Sequence, residues 1–78
     1  MRKKANKKLK YQTFIIWMNN KCDHRDDVPV KVTASSPAKA MEIAMDYEPH
    51  RFIPGTVYTI KNFRKKTGWS HTMAQKID

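Results

Sequence analysis

The chain has 78 residues, 40% of them hydrophobic, and a formal net charge of +9. This length makes one domain with a small core, and the apolar content is too high for a chain that stays unfolded throughout. A single cysteine, Cys22, excludes a disulfide within the chain and is typical of a reducing compartment, so we expect a cytoplasmic protein. No stretch approaches the roughly 18 apolar residues of a membrane-spanning helix, and we expect no membrane partner.

The positive charge is concentrated near the two ends of the sequence. Residues 1–19 contain six cations and no acid, and residues 61–78 contain five cations and one acid. Since folding does not require this separation, it indicates a polyanionic partner, either nucleic acid (DNA or RNA) or an acidic protein surface. The simpler alternative is that the excess charge only keeps a small protein in solution.

Residues 1–10 form a lysine-rich arm, for which mutual charge repulsion predicts disorder, and residues 11–78 form the single domain. Residues 11–18 are rich in β-branched and aromatic side chains and predict the first strand. Both faces of this strand are largely apolar, which is typical of a central strand covered on both sides. The polar residues 19–27 predict a mobile hairpin loop.

Residues 28–34 alternate between apolar and polar side chains, which predicts a half-buried second strand. Ser36 is a good N-cap and Pro37 suits the first helical position, so a helix begins here. Apolar residues at helical spacing from Ala40 to Tyr47 give this helix a core face. Pro49 ends it.

Residues 56–60 are four β-branched residues and one tyrosine, and they predict a third strand after a Pro-Gly turn. The alternative is a second helix over residues 56–66. With a first helix over residues 37–47, that would make a helix-turn-helix whose basic second helix enters the major groove. The linker between them is longer than the usual turn, and we prefer the strand, followed by a basic turn and a short tail.

These elements predict an α+β fold of the ββαβ type, with a three-stranded antiparallel sheet, one helix packed on one face, a basic N-terminal arm and a short C-terminal tail. The first strand is central. On the third strand we expect Tyr58 and Ile60 to face the helix, and Val57, Thr59 and Lys61 to face away. Because one helix covers one face, the other is either left open or covered by the tail, by a partner, or by a second copy in a homodimer through the open sheet face.

No arrangement of residues indicates catalysis. Cys22 and His24 would be the nucleophile and base of a catalytic pair, but both lie in a polar loop that does not hold them in place. The same loop lacks the four Cys or His ligands of a structural zinc site, and two glycines are too few for a glycine-rich phosphate loop. We therefore predict no enzyme activity, no cofactor and no metal.

Nucleic-acid binding with weak sequence selectivity is the leading functional hypothesis. Tyr11 or Trp17 on the open face would stack on bases while flanking cations neutralise phosphates. The structural alternative is that Trp17 packs on Trp69 beneath the tail. The candidate binding residues are Arg2, Lys3, Lys4, Lys7, Lys8, Lys10, Tyr11, Trp17, Lys31, Lys61, Arg64, Lys65 and Lys66.

The contrasting hypothesis is a protein-binding module. In this hypothesis the short basic chain would be, for example, a virus- or phage-type inhibitor or accessory factor that docks on a larger host protein or nucleoprotein machine through an acidic surface. A sheet edge or an open sheet face would make the contact.

Overall fold

The computed structural model describes residues 10–77, so the predicted disorder of the arm falls, except for Lys10, outside the described residues. The elements are β1 (Gln12–Asn20), β2 (Val28–Ala34), α1 (Pro37–Met45), β3 (Phe52–Thr59), α2 (Ile60–Thr67) and β4 (Gln75–Lys76). The sheet order is β3-β1-β2-β4, with β1 antiparallel to both neighbours and β4 parallel to β2. The α+β class and the central first strand are confirmed. No helix in the described part of the chain is long and apolar enough to cross a membrane.

Two details of the predicted fold are wrong. The sheet is four-stranded and mixed rather than three-stranded and antiparallel, because Gln75 and Lys76 add a short strand beside β2. A second helix, α2, forms where a basic turn was expected. Its N-cap is Thr59, whose hydroxyl accepts the N–H of Asn62 at 3.2 Å. It ends at Gly68, where the left-handed φ of 78° favours glycine.

Of the predicted third strand, residues 56–59 lie in β3, and Thr59 pairs with Phe14 of β1, whereas Ile60 begins α2. The helix-turn-helix alternative is wrong because β3 separates α1 from α2. β3 also begins earlier than predicted, at Phe52, so the Pro54-Gly55 pair lies within the strand and is not a turn. Proline is tolerated there because β3 is an edge strand of the sheet.

The two helices cover opposite faces of the sheet. α1 packs on one face over a cluster that includes Phe14, Ile16 and Val32. α2 packs on the other face, where Phe63 meets Ile15. The second face is therefore covered by the chain itself, which removes the reason for expecting an open sheet face and a homodimer through it.

The predicted orientation of β3 is reversed in the structure. Val57 packs against the α1 cluster, whereas Tyr58 and Ile60 pack against Phe63 on the α2 side. The register explains this, because Tyr58 pairs with Ile15, and paired residues of neighbouring strands face the same way.

Candidate nucleic-acid interface

Helix α2 docks with its apolar side and presents its basic side to solvent. Phe63 is fully buried, and the four cations of the helix are exposed: Lys61, Arg64, Lys65 and Lys66. The helix contains no acid, and among residues 10–77 no carboxylate forms an ion pair with any of these cations. Three of the four lie in the last turn, where the helix dipole also favours positive charge.

Cations elsewhere in the domain are partly neutralised by neighbouring acids. Arg25 binds Asp23 at 2.9 Å and Arg51 binds Glu48 at 2.9 Å. The Arg25 hydrogen bond lowers the pKa of the Asp23 carboxyl, and the same contact raises the pKa of Arg25. These arginines are therefore less available to a polyanion than the cations of α2.

Two further lysines lie on the α2 side of the sheet. Lys31 of β2 pairs in register with Ile15, which faces α2, and Lys76 of β4 pairs with Lys31. We define the basic face as the six cations on this side: Lys31, Lys61, Arg64, Lys65, Lys66 and Lys76. The acids Glu42 and Asp46 lie on or next to α1, on the opposite side. Cations therefore predominate on the α2 side, where Asp27 contacts Trp17, whereas the acids of the α1 side accompany a single helix cation, Lys39.

The predicted stacking role of Trp17 on an open face is not what the structure shows. Trp17 is half-buried against Phe63, with ring centroids 6.4 Å apart. It also meets Trp69 edge-on at 5.5 Å, so the alternative of a Trp17–Trp69 contact is confirmed. Trp69, which is 41% exposed, is the more accessible of the two rings, and it is not among the predicted binding residues.

The Trp17 ring is held in place by the loop after β1. Its Nε1–H donates to Asp27 Oδ2 at 3.3 Å, and Asp27 Oδ1 accepts the backbone N–H of Asn20 at 2.6 Å. The Asn20 side-chain oxygen in turn accepts two backbone N–H groups, those of Cys22 and Asp23, at 2.8 and 3.0 Å. The loop is therefore organised by side-chain acceptors that also fix a tryptophan at the candidate site.

A surface depression lies between β3 and α2, beside Trp17. We call it the β3–α2 pocket; its volume is about 440 Å³ and it is lined by Trp17, Asn19, Gly55, Thr56, Tyr58 and Thr67. A β-bulge forms this site, because two residues of β3, Gly55 and Thr56, oppose the single residue Trp17 of β1. No local sequence signal indicates the pocket, since its lining comes from three elements.

Glycine is required at position 55 by the close approach of β1. A Cβ atom there would lie 2.5 Å from Asn19 Nδ2 and 2.8 Å from the Trp17 carbonyl oxygen. The carbonyl belongs to the central strand and has little freedom to move. Gly55 therefore allows β1 to form one wall of the pocket.

The structure places the remaining candidate residues as follows. Lys10 and Tyr11 are exposed and lead into β1. Because Phe14 pairs with Thr59, β1 starts at the end of the sheet where α2 begins. The candidates outside the described residues are Arg2, Lys3, Lys4, Lys7 and Lys8.

Among residues 10–77, no group of three or more His, Cys, Asp or Glu side chains is placed to hold a metal ion. The side chain of Cys22 is exposed, and His24 Nδ1 lies 3.7 Å from Asp27 Oδ2.

Comparisons with protein-family models, curated proteins and solved structures found no match.

Proposed function

We propose that this chain is a non-enzymatic protein that binds nucleic acid with weak sequence selectivity, through the basic face together with the N-terminal arm. The observation that supports this proposal is the predominance of cations on the α2 side of the sheet. Residues 60–77 contain five Lys or Arg residues and no acid, and the four on α2 are exposed and free of ion pairs with residues 10–77.

The arrangement of α2 suits contacts with phosphates. Since Phe63 anchors the helix on the sheet, the backbone that carries the cations is ordered before a ligand binds. Neutralising phosphates with Lys and Arg releases condensed counterions, which supplies most of the sequence-independent affinity for nucleic acid. Contacts with phosphates position a protein without reading bases, so this surface predicts weak sequence selectivity.

The alternative proposal, a protein-binding module, has one structural feature in its favour. Among the described residues, the outer edge of β3 pairs with no other strand, and Ile53 on this strand is exposed. An extended peptide segment of a larger protein could pair with such an edge. Binding of this kind would survive nuclease treatment and would depend little on the cations of α2.

We test the nucleic-acid proposal with two variants of equal charge. Lys65→Gln/Lys66→Gln removes two positive charges from the basic face. Lys21→Gln/Lys39→Gln removes two exposed lysines that lie outside the basic face. Affinity for a labelled oligonucleotide is measured by fluorescence anisotropy over a series of salt concentrations. We expect the first variant to reduce the slope of log K against log salt by about 1.4–1.8, because each phosphate contact contributes about 0.7–0.9.

The control variant should keep the slope of the unmodified protein. If the two variants change the slope equally, net charge rather than the basic face determines binding. If the unmodified protein shows no salt-dependent binding, the proposed function is wrong.

A further inference from the structure

The β3–α2 pocket lies beside the basic face, and none of its lining residues carries a positive charge. We propose that it holds one unpaired base, so that the ligand is single-stranded nucleic acid; this inference rests on the proposed function. Its volume of about 440 Å³ falls within the range of roughly 300–1,000 Å³ that is typical of small-molecule sites. The walls, the polar groups and the neighbouring charges each support a base as the occupant.

Two walls of the pocket are aromatic. Trp17 and Tyr58 both line it, and both rings pack on Phe63 beneath, with centroids 6.4 and 5.6 Å from that ring. They are therefore held in place before a ligand arrives. Aromatic side chains accept any base by stacking, and one stacked base contributes roughly 5- to 150-fold in affinity.

Two polar side chains of the pocket have no hydrogen-bond partner within the described part of the chain. The Asn19 amide has no hydrogen-bond partner among residues 10–77, although Asn19 is half-buried, and the hydroxyl of Thr56 is also unpaired within that range. An amide offers donors and an acceptor that match the edge of a base. By contrast, Thr67 Oγ1 is occupied, since it accepts the N–H of Trp69 at 3.1 Å.

The charges of α2 adjoin this pocket. Thr67 lines it and shares the last turn of the helix with Arg64, Lys65 and Lys66. A strand whose phosphates contact these lysines would bring its bases to the mouth of the pocket. A base in a duplex is stacked and paired, so only an unpaired base could enter the pocket and stack on its aromatic walls. The site therefore favours single strands over duplex.

The test compares ligands that share phosphates but differ in bases. The first ligand is a labelled oligothymidine of about 12 nucleotides, within the site sizes of single-strand binders, and the second is the same backbone with abasic positions. We expect the abasic ligand to bind roughly 5- to 150-fold more weakly, with an unchanged salt slope. A duplex of the same length should also bind more weakly than the single strand.

A matched pair of protein variants tests whether the preference for a ligand with bases arises at the pocket. Asn19→Ala removes the unpaired amide of the pocket, and Asn62→Ala makes the same change at an exposed position of α2. We expect Asn19→Ala to weaken binding of oligothymidine roughly 2- to 13-fold, the value of one hydrogen bond. Neither variant should affect the abasic ligand.

Equal affinity for the two ligands, with the salt slope retained, would overturn the pocket inference and leave the proposed function standing. A preference for duplex would overturn it in the same way. Absence of salt-dependent binding by either ligand would overturn both.

Discussion

Replacing Phe63 with alanine is expected to lower the free energy of unfolding by about 3–5 kcal/mol. Phe63 is fully buried and is the residue through which α2 docks on the sheet. Its ring lies within 6.4 Å of Trp17 and 5.6 Å of Tyr58, measured between centroids, so truncation leaves a cavity beneath both. A domain of this size has a net stability of about 3–5 kcal/mol, so the variant should be close to unfolded at room temperature. Urea denaturation followed by circular dichroism measures the change.

The matched control for Phe63→Ala is Tyr11→Ala, an aromatic truncation at a position that is 65% exposed. Substitutions at such surface positions usually change stability by no more than about 0.5 kcal/mol. Equal losses in the two variants would mean that α2 does not dock on the sheet as described. The surface that carries the basic face would then have a different shape.

Replacing Asp27 with alanine should cost about 2–3 kcal/mol, because hydrogen bonds to charged groups contribute about 1.5–3 kcal/mol. The Asp27 side chain is 11% exposed. It accepts the Asn20 backbone N–H and the Trp17 indole N–H. Its removal leaves both donors without an acceptor and frees the Trp17 ring to rotate. Urea denaturation gives the loss of stability, and tryptophan fluorescence reports the change around the indole.

The neighbouring acid Asp26 provides the control for Asp27→Ala. Its side chain is exposed and makes no hydrogen bond or ion pair with residues 10–77. Asp26→Ala should therefore leave stability within about 0.5 kcal/mol of the unmodified protein. If both aspartate variants lose the same stability, the loop is not organised by the Asp27 carboxylate.

The elements predicted correctly from the sequence are those with local signals. Ser36 and Pro37 mark the start of α1, and the alternation of residues 28–34 marks β2. The start of α2 does have an N-cap, Thr59, but this signal is hidden because the β-branched run of residues 56–60 crosses the boundary between β3 and α2. That boundary is a tertiary feature, since the helix begins where pairing with β1 ends. The formation of β4 also depends on tertiary contacts. Ile77 donates its N–H to the Lys31 carbonyl at 3.1 Å, and this bond forms only after the chain has returned to β2.

The two apolar faces of β1 correctly indicate that the sheet is covered on both sides, but only one of the two helices was predicted. The basic residues of the candidate site could be predicted because charge is visible in the sequence. The pocket could not, because Asn19, Gly55 and Thr67 are far apart in the chain and meet only through the bulge opposite Trp17. The role of Trp69 likewise depends on where the end of α2 directs the chain.

The proposed nucleic-acid surface is tested by titrating ¹⁵N-labelled protein with a single-stranded oligonucleotide and following the backbone amide signals by NMR. We expect the largest shifts in α2, at Trp69 and at Lys31 and Lys76, with the amides of α1 unchanged. Shifts concentrated on α1, or no shifts at saturating oligonucleotide, would contradict binding through the basic face.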